Sequence, residues 1–281
     1  MKMKPICERA GSLTALSAVT ALAATMLVAH PAGALAVDDS QATPILVAQS
    51  LASVERFNDL LLVEPTEPAK APVGEIELSA GSVEVPTVLE EGVTLTDEAG
   101  ESIGIGLPNA AEAGMATALG DGVVTFPGEE SANSMIVGDV GVQMLTTIAG
   151  ADAPTRYSYE VSFKPGQHLE LTDSGAAVVN GDGTVALAVA SAWAKDANGK
   201  NIRTNYEING STLTQVVVHT AHEGIAYPVV ADPIWIAPWV YRCLIGIGLN
   251  GPQIARIAQT GTPSAILAAF GYGAFRCIIG R

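Results

Sequence analysis

Residues 234–281 contain four arginines and no acidic residue, whereas residues 37–233 carry 28 acids against 7 basic residues. Both cysteines beyond the N-terminal leader, Cys243 and Cys277, lie in this same acid-free stretch. A segment so short and so apolar cannot hide its own surface from water. It must therefore fold against the acidic body or against another apolar phase, and any architecture for the chain has to supply one of the two.

The N-terminus reads as a secretory leader. Lys2, Lys4 and Arg9 precede an apolar run at 13–28, and Ala34-Leu35-Ala36 forms an A-x-A cleavage site with Asp38 and Asp39 just beyond it. The run is shorter than the roughly 20 residues of a membrane-spanning helix. Cys7 precedes the apolar run, so it does not occupy a lipidation position. Cleavage is expected between Ala36 and Val37, and the expected localisation is secreted, extracellular. The mature chain then holds 11 basic and 28 acidic residues, a net charge of −17. Such a charge repels nucleic acid and favours solubility, so no nucleic-acid partner is expected. In an exported chain the two remaining cysteines are expected to pair; two separate buried thiols are the alternative.

The pattern divides the chain into a signal peptide (1–36), an N-terminal helix with a Pro-rich linker (37–74), an acidic β-rich domain (75–233) and a cationic apolar helical tail (234–281). The spacing of Leu46, Leu51, Val54, Phe57, Leu60 and Leu61 predicts a helix over 45–62, ended by Pro65 and Pro68. Alternating or short apolar runs predict strands at 75–79, 83–85, 102–107, 122–126, 133–139, 141–148, 156–163, 167–171, 175–180, 184–193, 201–208 and 211–219. Residues 110–119 fit either a short helix or a loop. Gly181-Asp182-Gly183, Asn198-Gly199 and Asn209-Gly210 supply turn residues able to adopt positive φ. Even spacing of this kind argues for a mainly β fold, an antiparallel sandwich or stacked meander with an N-terminal helix. In the tail, Asn250-Gly251-Pro252 opens a short helix and Thr262-Pro263 starts a second apolar one. Folded back as a helical hairpin, these would bring Cys243 near Cys277.

The fragments Arg156-Tyr157-Ser158-Tyr159, Ala192 through Gly199 (AWAKDANG), Tyr206 through Gln215 (YEINGSTLTQ) and Tyr227 through Trp235 (YPVVADPIW) occur together. This set resembles a β-rich module of secreted actinobacterial proteins of unknown function, with a Tyr-Pro-Val-x-x-Asp-Pro ending. The resemblance covers about 80 residues. It implies an extracellular β module from a Gram-positive source and brings no catalytic residues with it.

Candidate chemistry is sparse. Neither G-x-S-x-G nor H-E-x-x-H occurs. His219 and His222 lie three apart near Glu223 and Asp232, a spacing open to a metal, but surface positions explain them better. Asn180-Gly181-Asp182-Gly183 lacks the full calcium-loop pattern and reads as a hairpin turn. Asn209-Gly210-Ser211 fits a glycosylation sequon and equally a turn. Asp232-Pro233 reads as a strand end, or as an exposed processing site. The tail's basic residues are Arg242, Arg256, Arg276 and Arg281, beside Trp235, Trp239, Tyr241, Phe270, Tyr272 and Phe275. No cofactor, metal or catalytic residue is expected. The expected function is a non-enzymatic binding or structural module with an extracellular or envelope partner. The alternative is an acidic carrier or precursor of a cationic, disulfide-closed tail that contacts membranes.

One consequence is directly checkable. N-terminal sequencing of secreted material should read Val-Asp-Asp-Ser; a cytoplasmic product that keeps Met1 would contradict the leader.

Overall fold

The computed structural model describes residues 41–58, 61–67, 73–220, 224–260 and 263–279. The expected leader and the cleavage site at Ala36 and Val37 lie outside these residues. In chain order the strands are β1 (Gly74–Leu78), β2 (Gly81–Val85), β3 (Val93–Asp97), β4 (Ser102–Gly106), β5 (Thr117–Gly120), β6 (Val123–Phe126), β7 (Ser131–Gly138), β8 (Gly141–Ile148) and β9 (Arg156–Ser162). They continue with β10 (His168–Thr172), β11 (Gly175–Val179), β12 (Val185–Ala190), β13 (Trp193–Lys195), β14 (Thr204–Asn209), β15 (Thr212–Val217), β16 (Val229–Asp232) and β17 (Ile234–Ile236). The helices are α1 (Pro44–Phe57), α2 (Pro238–Gly246), α3 (Gly251–Ala258) and α4 (Pro263–Ile279).

Period-two patterning sets the sheets. In β9, Tyr157, Tyr159 and Val161 point inward while Arg156, Ser158, Glu160 and Ser162 face water. The strands form two antiparallel sheets. The smaller runs β1-β2-β3-β4-β9-β15-β14, and the larger runs β10-β11-β12-β17-β8-β7-β6-β5, with β13 and β16 paired beside it. Tyr159 of the smaller sheet meets Trp235 of the larger edge-to-face, ring centres 5.9 Å apart. The expected mainly β sandwich with an N-terminal helix and C-terminal helices is the observed architecture. Strands β7 and β8 are buried along their whole length, as a strand pair covered on both faces must be.

Three hairpins share one turn. Asp97 and Glu101, Asn180 and Thr184, and Asp196 and Lys200 close five-residue loops through a first-residue N–H to a fifth-residue carbonyl, at 2.8–3.0 Å. The fourth residue is glycine each time, with φ of 78°, 84° and 76° at Gly100, Gly183 and Gly199. That left-handed position excludes most side chains. In two of the loops the leading aspartate also accepts two backbone N–H groups with one oxygen: Asp97 from Ala99 and Glu101, and Asp196 from Asn198 and Lys200. The other oxygen is left for a more distant element. Asp97 takes Arg242 of α2, and Asp196 takes the N–H of Ala226 ahead of β16.

The junction of body and tail is a strand. One edge of β8 carries two consecutive partners, β17 opposite Gly141–Gln143 and β16 opposite Thr146–Ile148. Between them the N–H of Met144 donates to Pro233 O at 2.9 Å. On the far side, β12 pairs with β17 and β13 with β16. Residues 229–236 thus act as one kinked strand. The boundary expected between 233 and 234 falls inside the sheet, and the helical part starts only at Pro238. Asp232 is buried, not an exposed processing site.

Two helical expectations shift. α1 ends at Phe57, short of the expected 62, because residues 61–67 extend to pair elsewhere: Val63 N–H and Leu61 O bind the Gln143 amide, and Thr66 N–H donates to Val137 O. Its buried stripe is Val47, Ser50, Leu51 and Val54, with Phe57 exposed. Thr43 caps it by accepting from Leu46 N–H, with Pro44 in the first turn. Residues 110–119 divide into a short 3₁₀ turn at Ala110–Glu112 and the strand β5.

The tail packs as three helices. α3 opens with a capping box between Asn250 and Gln253. α4 is broken at Gly271, φ 83°. Trp239, Val240, Leu244, Ile254, Ile257, Ile266 and Ile278 are buried in the same core as the sheets. Trp239 lies so close over Gly81 of β2 that a Cβ there would come within 2.5 Å of its ring. Cys243 of α2 is bonded to Cys277 of α4, with Cα atoms 5.5 Å apart.

Closing a loop of this length removes entropy from the unfolded chain worth about 4 kcal/mol. The double variant Cys243→Ser/Cys277→Ser should keep its far-UV β signature and lose about that much unfolding free energy in urea. An unchanged midpoint would show that the bond contributes nothing.

Candidate functional site

A cleft of about 580 Å³ opens where four separate segments converge. The β3–β4 hairpin supplies Asp97, Glu101, Ser102 and Ile103. The turn after β9 supplies Lys164 and Gln167. The β11–β12 hairpin supplies Asn180, Thr184, Val185 and Ala186, and α2 closes the space with Pro238, Tyr241, Arg242 and Ile245. Apolar side chains form one part of the wall and paired polar groups the rim, the usual division of labour in small-molecule sites.

The rim is held by an ordered network. Arg242 donates to Asp97 Oδ2 at 2.8 Å; the aspartate side chain is 7% exposed and the arginine 56%. With Oδ1 already taken by two turn N–H groups, Asp97 is fully used, and it fixes the guanidinium at the cleft mouth. Lys164 pairs with Glu101. Gln167 bridges two loops, accepting from Lys164 N–H at 2.8 Å and donating to Asn180 Oδ1 at 2.7 Å.

A second polar centre is wholly internal. Asp232 sits at the strand kink with its Oδ1 accepting from Trp193 N–H at 3.1 Å and its Oδ2 from Gln143 Nε2 at 3.2 Å. Burial pushes its pKa up to about 8, and the two donors offset only part of that rise. Burial likewise raises the pKa of Tyr159 and Tyr206, with the Asp232 charge adding to both. Tyr206 donates to Ala190 O at 3.1 Å. The two side-chain hydrogen bonds of Asp232 go to Trp193 and Gln143, neither of which lines the cleft, so its part is to shape the sheet.

The residues singled out by sequence are scattered. Arg242 lines the cleft; Arg256 and Arg276 lie exposed on α3 and α4; Arg281 is outside the described residues. His219 is buried rather than on the surface, its Nε2 donating to Pro154 O at 3.0 Å and its Nδ1 facing Tyr227 Oη at 2.9 Å. Both ring nitrogens have partners within the protein; His222 lies outside the described residues. Among the described residues no group of three metal-ligating side chains occurs. Asn180 through Gly183 form the hairpin turn, with Asp182 accepting from Thr184 N–H. Asn209 sits at an exposed hairpin turn with Gly210 at φ 61°.

The cleft itself was not legible in the sequence. Its walls come from four stretches, and no local motif links Ile103, Lys164, Val185 and Tyr241. The only available signals were the Asx-Gly turns and the lone arginine in an otherwise apolar helix.

The buried carboxyl makes stability depend on pH. Its folded pKa lies above the unfolded value of about 3.9, so the folded state binds the extra proton in the window from about 4 to 8. Stability is therefore lost as pH rises through that window. Asp232→Asn should remove this slope, so the stability difference between variant and parent, measured by urea titration at pH 5 and pH 9, should shift in the variant's favour at high pH. Parallel pH profiles would overturn the assignment. Comparison of the chain with family models and with curated proteins finds no match.

Proposed function

We propose that the chain is an exported, non-catalytic binding module and that the cleft between the sandwich edge and α2 is its binding site. The observation that carries this reading is the construction of the cleft. Four separate segments are tied by side-chain hydrogen bonds and ion pairs around an apolar wall, so the opening is pre-formed and costs little ordering on occupation. Export is supported by the leader pattern together with a bonded cysteine pair. The likeness to secreted β modules, carried by the motif ending at Trp235, points the same way.

A second reading keeps the tail as a membrane-contacting element. It is favoured by exposed Ile245, Ile247, Leu267 and Tyr272 on an acid-free segment. Among the described residues no helix is long and apolar enough to cross a membrane, so this reading concerns contact in the interface plane. Release of the tail as a free peptide is opposed by the position of β17, a central strand whose departure would leave β8 and β12 without their partner.

The two readings separate experimentally. Mature protein should show backbone amide shifts confined to the cleft (Ile103, Val185, Tyr241, Ile245) when titrated with a mixture of small amphiphilic molecules, and should leave anionic vesicles intact. Leakage of phosphatidylglycerol vesicles without cleft shifts would favour the membrane reading and sink the first.

A further inference from the structure

We propose that the cleft selects an amphiphile with an apolar chain and a single carboxylate head, the head resting on Arg242 and Lys164. This rests on the cleft being the binding site and goes further by fixing the ligand's chemistry.

The argument starts from which polar groups remain available. The cleft is lined by two acids and two bases, so its formal charge is zero. The acids are not equivalent to the bases. Asp97 is nearly inaccessible, and both of its oxygens are occupied by Ala99, Glu101 and Arg242. It offers nothing to an incoming group. Arg242 gives one terminal nitrogen to Asp97 and is half exposed; a guanidinium has five N–H donors, so a second edge stays free for an anion. Lys164 and Glu101 are both about half exposed. A pair of that kind is worth little in water, so a ligand carboxylate can replace Glu101 at the ammonium with small loss. The surplus donor capacity at the rim is therefore cationic.

The wall chooses the rest of the ligand. Ile103, Val185, Ala186, Pro238, Tyr241 and Ile245 present aliphatic and ring surface without a competing charge. An alkyl chain gains from leaving water there, about 0.8 kcal/mol per buried methylene. A compact polyanion would gain nothing from this wall, and a cationic head would face Arg242 and Lys164.

The test uses the mature full-length chain, three probes of equal chain length and isothermal titration below their micelle-forming concentrations. The probes are decanoate, 1-decanol and decyltrimethylammonium. Decanoate should bind at least about tenfold tighter than the other two, the size of one charge-assisted hydrogen bond. Arg242→Gln and Lys164→Gln should each remove most of that preference, read as the ratio of decanoate to decanol affinity within each variant. Lys164 sits on an exposed turn, so its variant reports even where loss of the Asp97 contact loosens α2. Ala186→Trp, which fills the wall, should abolish binding of all three. Equal affinity for the three probes, or a decanoate preference untouched by both charge variants, would overturn the ligand class while leaving the cleft as a site. Absence of binding by every probe, or binding that survives Ala186→Trp, would overturn the site along with it.

Discussion

The kinked strand at 229–236 is the constraint on which the rest of the molecule depends. It pairs along β8 on one side and along β12 and β13 on the other, so it joins the two halves of the larger sheet. Pro233 has no N–H to donate, and a proline inside a sheet is tolerated only at an edge or an irregularity. Here the irregularity is filled by the preceding side chain. Asp232 takes Trp193 N–H from the neighbouring strand and the Gln143 amide from β8. Gln143 in turn holds Leu61 O and Val63 N–H. A single buried acid thereby connects the kink, the sheet centre and the N-terminal segment, at the cost of a carboxyl that resists ionisation.

The same economy appears in the hairpins. A turn aspartate has two oxygens, and one suffices to cap the loop. At Asp97 and Asp196 the second oxygen reaches a segment more than 25 residues distant in sequence. Glycine at the fourth position accepts the positive φ that the turn needs, and the two N–H groups on one carboxylate oxygen fix the direction of the other. At Asp97 that oxygen meets Arg242 of α2, which gives the cleft an ordered rim beside a helix held by its packing.

The sheet architecture was legible because its signal is local. Alternation in 156–163 and the Asx-Gly turns at 180–183 and 198–199 decide side-chain facing and reversal within a few residues. The helix at 45–62 was overextended because Leu61 satisfies helical spacing, whereas its carbonyl is claimed by Gln143, some eighty residues away. Ile234, Trp235 and Ile236 looked like the start of a helical tail since three apolar residues carry no period; only their pairing with β8 and β12 makes them a strand. His219 looked exposed because its partners, Pro154 and Tyr227, are not adjacent in sequence. The cleft is the extreme case, built wholly from contacts between segments.

The charge split that marks the sequence is not what holds the tail in place. Arg242–Asp97 joins tail to body with a half-exposed guanidinium on a buried carboxylate, and the desolvation such a pair suffers offsets much of its attraction. Burial of Trp239, Val240, Leu244, Ile254, Ile257, Ile266 and Ile278 contributes roughly 1.5–3 kcal/mol for each large side chain relative to leaving it in water. Packing therefore dominates, and the disulfide keeps α2 and α4 together as they pack. The absence of acid has a different consequence. It leaves Arg242 without a competing carboxylate from its own helix, so the guanidinium is oriented by Asp97 alone and faces the cleft.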